Sequence, residues 1–211
     1  MFQRLVTSNP VHFLTKQYRM HPAIAQFPSA MFYDGQLQHG GQPRDRPYHL
    51  KPEFGPYVFY DIVEGEQSKP EGSTSYRNLH EVDFIVNLVT KLVQSFPNYN
   101  FRGRIGIISP YKSQIHELST AFTRLNYRQH VEVNTVDGFQ GREKEIIIVS
   151  CVRTVRGREN TFWGDVRRMN VALTRAISSC WVVGNSALLG QNTTWYTLIE
   201  DCKARDCYRT V

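Results

Sequence analysis

The sequence has few cysteines and no long apolar run. The four cysteines among its 211 residues are Cys151, Cys180, Cys202 and Cys207. They form no CxxC pair, so neither a zinc knuckle nor a disulfide scaffold is indicated, and a reducing compartment is the expected setting. The longest apolar runs, residues 146–149 and 181–183, are far shorter than the roughly 20 residues that a membrane-spanning helix needs. We therefore expect no membrane partner.

Several catalytic signatures are also absent. The sequence holds no GxxxxGK[ST] phosphate loop, no Asp-Glu pair after an apolar strand, no HExxH and no Ser/His/Asp ordering. A hydrolase with a complete site of its own is therefore disfavoured. A chain that carries phosphate-binding groups without a phosphate loop contains half of a nucleotide site.

The composition is that of one globular domain over residues 1–211. Apolar residues make up 41% of the chain, and 25 Lys and Arg stand against 19 Asp and Glu, a net charge of +6. This balance excludes a disordered chain, a collagen-like repeat and a coiled coil. A charge of +6 permits an anionic partner but does not prove one.

Short apolar strands alternate with amphipathic helices along the chain. We expect strands near residues 57–63, 104–109, 131–136, 146–152 and 180–183. We expect a helix that begins at Pro22 and breaks or restarts at Pro28, and helices over residues 79–96, 165–177 and 193–203. A further helix is expected after Pro110, with Ile115, Leu118 and Phe122 on one side. Residues 35–74 form an irregular excursion with no assigned role. The alternation predicts an α/β fold, a parallel sheet with helices on both faces.

Parallel sheets bind ligands beyond the carboxyl ends of their strands. Four segments next to predicted strands carry polar and aromatic groups suited to this: residues 17–22, 109–114, 135–143 and 165–177. In the first, Arg19 offers a forked guanidinium for phosphate and Tyr18 a ring for a base. The alternative is a surface arginine beside a half-buried tyrosine. His21 is interpreted as a structural hydrogen-bonding residue.

The other three segments have equally plain alternatives. Pro110 and Tyr111 begin a helix in a manner that suits a nucleic-acid backbone, or they form an ordinary strand-to-helix turn. Residues 135–143 place polar groups around two glycines, as a ligand loop or a simple turn would. On a helix over residues 165–177, Val166, Met169, Leu173 and Ala176 would form the buried stripe. Arg168 and Arg175 would share the opposite face, about 10 Å apart, as an anion site or a solvated basic face.

Taken together, these segments resemble the C-terminal motor domain of superfamily 1B helicases, most closely the senataxin-like branch. The strings that carry the resemblance are "QYRMHPAIAQFPSAMFYDGQL", "GIISPYKSQ", "NTVDGFQGREKEIIIVSCVR" and "DVRRMNVALTRA", in the family's order and spacing. The resemblance covers nearly the whole chain. It implies a RecA-like fold, the second of two motor domains that clamp ATP and move along single-stranded nucleic acid.

The resemblance also implies roles for individual residues. Arg19 and Arg175 would be arginine fingers on the γ-phosphate, and Tyr18 would stack near the adenine. The residues expected to approach phosphates and ribose are Gln140, Gly141 and Glu143. The residues expected to contact the single-stranded nucleic acid are Pro110, Tyr111 and Thr135. Arg168 would brace its helix or bind acidic groups nearby, and no residue of the chain is expected to bind a metal directly.

Partners and setting follow from the same resemblance. ATP and Mg²⁺ would be held mainly by an N-terminal RecA-like domain of the same protein, which carries the phosphate loop and is not in this chain. The chain alone is therefore expected to be inactive, and the intact protein to be an ATP-dependent helicase on single-stranded RNA or DNA in the nucleus. The alternative is a non-catalytic nucleic-acid-binding module of the same fold. The retained Arg19, Glu143 and Arg175 argue against it, because a pure binder needs no phosphate-directed arginines.

Overall fold

The computed structural model describes residues 14–42, 44–155 and 164–211. The strands are β1 (Lys16–Gln17), β2 (Gln38–His39), β3 (Tyr57–Asp61), β4 (Gln67–Ser68), β5 (Arg77–Asn78), β6 (Ile105–Ile108), β7 (Val131–Asn134), β8 (Lys144–Ser150), β9 (Ala176–Gly184) and β10 (Tyr208–Thr210). The helices are α1 (Pro22–Phe32), α2 (Leu79–Ser95), α3 (Lys112–Arg124), α4 (Val166–Leu173), α5 (Ser186–Leu189) and α6 (Thr193–Ala204). Among the described residues, none of these helices has the length and apolar character needed to cross a bilayer.

Six of the strands form one parallel sheet, in the order β10-β3-β9-β8-β6-β7. Every neighbouring pair in it is parallel, as the sequence predicted. The remaining strands make two small ribbons, β1 with β2 and β4 with β5. The amino-terminal ends of these strands therefore all lie along one side of the sheet, called the amino edge below. Their carboxyl-terminal ends lie along the opposite side, called the carboxyl edge.

Apolar side chains cover both faces of the sheet, because successive strand residues point to opposite sides. On the first face, helices α1, α4 and α6 pack on strand residues that include Phe59, Val149 and Val182. On the second, α2 and α3 pack on residues that include Ile107, Ile148 and Trp181. The result is a three-layer α/β/α arrangement, which confirms the predicted fold class.

The strongest periodic pattern in the sequence forms the longest helix. Helix α2 spans 17 residues and buries Val82, Ile85, Val89 and Leu92, as the spacing of three and four residues predicted. Its first residue, Leu79, is 43% exposed and lies outside the buried stripe. The predicted strands and the last helix are likewise present, with boundaries shifted by a few residues.

The prediction that Pro28 breaks the first helix was wrong. Pro28 lies inside α1, which continues to Phe32. A proline inside a helix costs about 3 kcal/mol, because a hydrogen bond is lost and the ring crowds the preceding turn. Burial of Ile24 and Phe27, at roughly 1.5–3 kcal/mol each, offsets that cost. Packing on the sheet therefore overrides the local signal.

The prediction of a helix from Asp165 to Ile177 was right at its start and wrong at its end. The Asp165 side chain accepts the N–H of Arg167 and caps α4. The helix ends at Leu173, and Ala176 already pairs with Lys144 in the sheet. The prediction extended the helix too far because Ala176 is buried in the strand, as it would have been in a helix.

Two consequences follow from the shorter helix. Arg175 lies in the turn before β9, so it does not share a helix face with Arg168, and that prediction was wrong. Val166, placed in the buried stripe from the sequence, is 39% exposed. Strand β10 was not predicted at all, since three residues are too few to show an alternation.

Strand β3 lies within the excursion at residues 35–74, and residues 47–56 before it close the amino edge of the second core. Tyr48 and Phe54 are fully buried there, on two short 3₁₀ turns. The Tyr48 hydroxyl donates to Glu145 Oε1 at 3.1 Å, and Trp181 Nε1 donates to the carbonyl of Gly55 at 2.8 Å. These contacts give the excursion a packing role that its sequence did not reveal.

A nine-residue segment, residues 135–143, connects opposite edges of the sheet. It leaves β7 at the carboxyl edge and enters β8 at the amino edge, and β6 lies between those two strands. Phe139, at the middle of the segment, is fully buried on the first face. A Cβ atom on Gly106 of β6 would stand 3.0 Å from the Phe139 ring and 2.8 Å from Ile147. The absent side chain of Gly106 therefore makes room for the crossing.

We expect Gly106→Ala to destabilise the fold by about 1–3 kcal/mol, because the new methyl group overpacks the contact between the crossing segment and the sheet. Gly41→Ala is the matched control, since a Cβ there meets nothing within 4 Å. It should change stability by less than ~0.5 kcal/mol. Urea unfolding of both variants measures the difference, and equal midpoints would contradict this packing account.

Candidate functional site

Three segments that are distant in the sequence meet at the amino edge of the sheet. Arg19 precedes α1, Glu143 precedes β8, and Arg175 precedes β9. Arg19 donates through Nε to Glu143 Oε2 at 2.5 Å and through Nη1 to the carbonyl of Thr174 at 3.1 Å. Arg19 and Glu143 are 34% and 48% exposed as side chains, so the ion pair faces solvent.

Arg175 completes this group, called the arginine cluster below (Arg19, Glu143, Arg175). It donates through Nε to the carbonyl of Val171 at 3.1 Å and through Nη2 to the Thr174 hydroxyl at 3.3 Å. Burial lowers the pKa of Arg175, and the positive charge of Arg19 lowers it further. The two guanidinium groups thus lie close enough to repel each other. With one carboxylate between them, the cluster keeps one positive charge in excess and attracts an anion.

Gln17 fixes the backbone that presents Arg19. Its Oε1 accepts the N–H groups of Arg19 at 3.1 Å and Met20 at 2.8 Å, and its Nε2 donates to the Met20 carbonyl at 2.9 Å. His21 then caps α1, because its Nδ1 accepts the N–H of Ala23 at 3.0 Å. The His21 N–H donates to the carbonyl of Ile177 at 2.7 Å, which joins this turn to β9. Arg19 is therefore carried on a rigid turn.

Tyr18 is the exposed aromatic residue of the same turn. Its side chain is 62% exposed, and its ring lies against the backbone of Gly40. A Cβ at Gly40 would stand 2.3 Å from the ring, so only glycine permits this contact. Arg44 Nη2 donates to the Tyr18 carbonyl at 3.2 Å. The structure therefore offers an accessible ring beside the arginine cluster.

Gln140 and Gly141 lie at the exposed end of the crossing segment. Gly141 has φ +77°, and a Cβ there would meet nothing within 4 Å. The turn conformation, rather than crowding, requires glycine at this position. Gln140 is exposed, and its N–H donates to the carbonyl of Asp137 at 3.1 Å. Both residues adjoin Glu143 in sequence and share its edge of the sheet.

The remaining predicted residues lie at the opposite, carboxyl edge. Pro110 and Tyr111 follow β6, and Thr135 follows β7. The Thr135 hydroxyl accepts the N–H of Gly138 at 3.0 Å, so it shapes the start of the crossing segment. The expectation that all four segments meet at the carboxyl edge was therefore wrong. The predicted residues form two groups, and the crossing segment contributes to both.

Three residues near Tyr111 were missed by the sequence reasoning. The Tyr111 and Tyr76 rings meet edge to face, with centroids 5.8 Å apart. Arg153 lies over the Tyr76 ring at 4.3 Å, and the Lys69 ammonium lies 4.5 Å from the same centroid. Lys69 comes from the excursion at residues 35–74, which has no role assigned from the sequence, and Tyr76 lies just after it. No local pattern in that stretch indicates that it folds beside residue 111.

A family model described as an AAA domain matches residues 1–187. Helicase SEN1 of Saccharomyces cerevisiae is 42% identical over 215 residues, which is 98% of this chain and 10% of that protein. The probable helicase MAGATAMA 3 of Arabidopsis thaliana is also 42% identical, over 98% of this chain and 26% of that protein. Regulator of nonsense transcripts 1 of Caenorhabditis elegans is 36% identical, over 98% and 20%.

The chain belongs to the senataxin-like superfamily 1B helicases, within the AAA domain family. It spans between a tenth and about a quarter of the length of the relatives just named. A solved C-terminal domain of a possible DNA helicase is 13% identical, with a TM-score of 0.48 over 80% of this chain and 88% of that one. The parallel sheet covered on both faces is the RecA-like fold of this family.

In this helicase domain, a buried carboxyl group holds the exit of β8 at the carboxyl edge. Glu81 is fully buried. Its Oε1 accepts the N–H of Val152 at 2.8 Å, and its Oε2 accepts the Ser150 hydroxyl at 2.7 Å. Val152 has φ +71°, a conformation that is costly for a β-branched residue. Asn78 Nδ2 donates to the Val152 carbonyl at 3.3 Å. These contacts stabilise the kink from which Arg153 reaches Tyr76.

His21, Asp45 and His49 bring three metal-ligating side chains within 4.8 Å in the helicase domain. Their hydrogen bonds account for them without a metal. Because His21 Nδ1 accepts the N–H of Ala23, its Nε2 carries the proton and donates to Asp45 Oδ1 at 3.0 Å. His49 Nδ1 accepts the N–H of Arg46 at 3.2 Å, and burial lowers the His49 pKa to about 4. The group braces the excursion against α1.

We expect Glu81→Gln to flatten the pH dependence of stability. Burial raises the Glu81 pKa to about 8 from its ordinary value of 4.5. Between these values the unfolded chain has lost the proton that the folded chain keeps. Stability should therefore fall as pH rises from about 4.5 to 8, by roughly 1–2 kcal/mol per pH unit. Glutamine stays neutral, so the variant loses this dependence.

Urea unfolding at pH 6 and pH 8 measures this effect. Glu66→Gln, at an exposed position, is the control and should keep the wild-type pH dependence. Parallel pH curves for Glu81→Gln and wild type would show that Glu81 titrates as an ordinary surface carboxyl group.

Proposed function

We propose that this domain is the second RecA-like half of an ATP-dependent helicase, in which Arg19 and Arg175 act on the γ-phosphate. The observation that carries the proposal is the arginine cluster. Two guanidinium groups from segments more than 150 residues apart converge on one solvent-facing edge with an excess positive charge. A solvated basic face would lie on a single helix, whereas the arginine cluster is assembled from three separate segments of the chain.

The chemistry of phosphoryl transfer fits this arrangement. Charge on the transferred phosphoryl group must be stabilised as the leaving group departs, and a positioned arginine is worth ~10³–10⁵ in rate. The hydrogen bonds of Arg19 use Nε and Nη1, and those of Arg175 use Nε and Nη2. Arg175 is thereby held along its Nε–Nη2 edge and Arg19 at Nε and Nη1, and each guanidinium keeps further N–H groups for phosphate oxygens.

Glu143 takes a different role from the one its motif implies. Its carboxylate already accepts from Arg19, so in this proposal it orients that guanidinium instead of first contacting ribose or phosphate. Tyr18 offers its exposed ring to the adenine, and Gln140 and Gly141 approach the phosphates and ribose from the crossing segment. Each of these assignments rests on position beside the arginine cluster.

A magnesium ion does not fit this side of the site. Hard divalent cations need several oxygen ligands, usually with at least one free carboxylate. The one carboxylate of the arginine cluster is paired with Arg19, and two cations stand beside it. The proposal therefore assigns Mg²⁺ and the phosphate loop to an N-terminal RecA-like domain of the same protein, with this chain supplying the opposite wall.

The carboxyl edge is the proposed contact for single-stranded RNA or DNA. Pro110, Tyr111 and Thr135 lie there, away from the arginine cluster. Lys69 adds an exposed cation above the Tyr76 ring, beside Tyr111. Aromatic rings and cations at one edge suit the bases and backbone of a single strand. A nuclear location is part of the proposal only through the family resemblance.

In the intact protein, we expect Arg19→Ala and Arg175→Ala each to lower kcat for ATP by at least about 100-fold, because the fingers act on charge that develops in the transition state. Affinity for single-stranded nucleic acid should stay within about threefold of wild type. Arg175→Lys should recover little activity, since an ammonium cannot reproduce the planar fork. Steady-state phosphate release beside a binding titration measures both quantities.

Arg124→Ala is the matched control, an exposed arginine on α3 at the other face of the sheet. It should leave kcat unchanged. Full turnover in folded Arg19→Ala and Arg175→Ala proteins would remove the finger assignment and favour the non-catalytic binding module.

We expect Thr135→Ala to weaken single-strand binding by roughly 3- to 10-fold, the value of one hydrogen bond, while basal ATP turnover stays near wild type. Thr135→Ser removes only the methyl group and keeps the hydroxyl that accepts the Gly138 N–H. It therefore separates a hydroxyl contact with nucleic acid from packing of the methyl group. The serine variant should bind like wild type, and binding of all three proteins should weaken with added salt. Equal losses in both variants would point to the methyl group and against a hydroxyl contact.

A further inference from the structure

Helix α6 ends in a turn that brings two cysteines together. The Cys207 N–H donates to the carbonyl of Cys202 at 2.9 Å, and the Asp206 N–H donates to the carbonyl of Lys203 at 3.2 Å. Asp206 has φ +51°. This pair of bonds with a left-handed residue between them is the Schellman motif, which places the side chains at its two ends in contact. In this turn those side chains are Cys202 and Cys207.

The two cysteines meet in this turn. Cys207 Sγ donates to the carbonyl oxygen of Cys202 at 3.3 Å, and each thiol shifts the pKa of the other. Both are reduced. The same turn that closes the helix thus holds the Cys207 sulfur against the backbone of Cys202.

The two sulfurs differ in access and in charge. Cys202 is fully buried, whereas Cys207 is half-buried and lines a cleft of about 310 Å³ with Arg205 and Arg209. The pKa of Cys207 is lowered, mainly by its interaction with Cys202 and also by the positive charges of Arg205 and Arg209. Burial and the negative charge of Asp201 raise the Cys207 pKa and offset part of this effect. Hydrogen bonding to Cys207 and burial raise the pKa of Cys202. Cys207 is therefore the accessible nucleophile and Cys202 the resolving thiol.

We propose that Cys202 and Cys207 form a reversible redox pair, oxidised by small peroxides that enter the cleft beside Arg205. The Cys207 thiolate attacks one peroxide oxygen, the O–O bond breaks, and the leaving oxygen departs as hydroxide or alkoxide and takes up a proton. Cys207 is then a sulfenic acid. The Cys202 sulfur displaces its hydroxyl as water and loses its own proton. The two sulfurs give up two electrons in total, and the peroxide takes both.

The pair is placed where its oxidation state affects the helix that follows Arg19. Arg205, between the two cysteines in sequence, donates through Nη2 to the carbonyl of Ala23 at 2.5 Å, in the first turn of α1. Its guanidinium also lies 5.0 Å from the centroid of the Tyr57 ring. Closing the disulfide restrains the backbone on both sides of Arg205. Peroxide would therefore tighten the brace between α6 and α1.

Peptide mapping of the intact protein tests the proposal. After treatment with a small excess of hydrogen peroxide and alkylation of the remaining thiols, we expect a Cys202–Cys207 disulfide, a loss of 2 Da, that dithiothreitol reverses. Cys180, fully buried in β9, should stay alkylatable after unfolding. Oxidation of Cys207 to sulfinic acid with Cys202 still reduced would overturn the proposal, as would no reaction at either thiol.

Two variants sharpen the assignment. Cys202→Ser removes the resolving thiol, so Cys207 should stop at sulfenic acid and react with a dimedone probe. Cys180→Ser is the matched control and should leave disulfide formation unchanged. The absence of a dimedone adduct on Cys207 in the peroxide-treated Cys202→Ser protein would contradict the assignment of Cys207 as the nucleophile. The wild-type map decides the question even where a variant folds poorly.

Discussion

The crossing of β6 by residues 135–143 is the constraint on which the arrangement of this domain depends. In a parallel sheet every connection must return from the carboxyl edge to the amino edge. Most connections do so through an α-helix, but this one has only a single 3₁₀ turn, Asp137–Phe139, and is held by Phe139 over Gly106. It is short enough that one end places Thr135 at the carboxyl edge and the other presents Glu143 at the amino edge. No other described segment contributes to both groups of candidate residues.

This placement gives the proposed helicase activity a physical route between its two surfaces. The segment joins Thr135 directly to Glu143, and Glu143 accepts a hydrogen bond from Arg19. Buried Phe139 prevents the segment from bending independently at its middle, because packed interiors resist local changes of volume. Coupling by this route requires two arrangements of the segment.

The sequence predicted the fold well where periodicity was long. Helix α2 and the parallel sheet follow from spacing alone, because many residues repeat the same pattern. The errors at Pro28 and at the end of α4 have one cause, since burial in the sheet layer overrode local signals that concern one turn of helix. Ala176 is the clearest example: it is buried on β9 as it would have been on a helix, so its apolar character could not distinguish them.

The site was predicted residue by residue but not in its geometry. Motif strings name Arg19, Glu143 and Arg175 without stating that they meet, and chain order cannot show which edge of a sheet a turn occupies. The interpretation of Glu143 as a nucleotide contact missed its ion pair with Arg19, which only the fold reveals. Glu81 was missed because a charged residue on a buried face contradicts the usual pattern, and its partners lie about 70 residues away.

The number of charged groups alone does not distinguish the arginine cluster from a group of charged residues that only stabilises the fold. Glu145 also stands between two arginines, with Arg46 Nε at 3.2 Å and Arg104 Nη1 at 2.7 Å. There the carboxylate is 7% exposed as a side chain, and Tyr48 and Tyr99 donate to it as well, so a buried acid is fully satisfied.

In the arginine cluster, at Arg175, the relation is inverted. Arg175 donates to the Val171 carbonyl and the Thr174 hydroxyl, and the nearest acid, Glu143, serves Arg19. Positive charge that is positioned by neutral groups keeps its attraction for an incoming anion, whereas charge positioned by an acid is largely cancelled. Arg175 is therefore the residue of the arginine cluster whose charge stays available, which supports the proposed contact between this cluster and a phosphate.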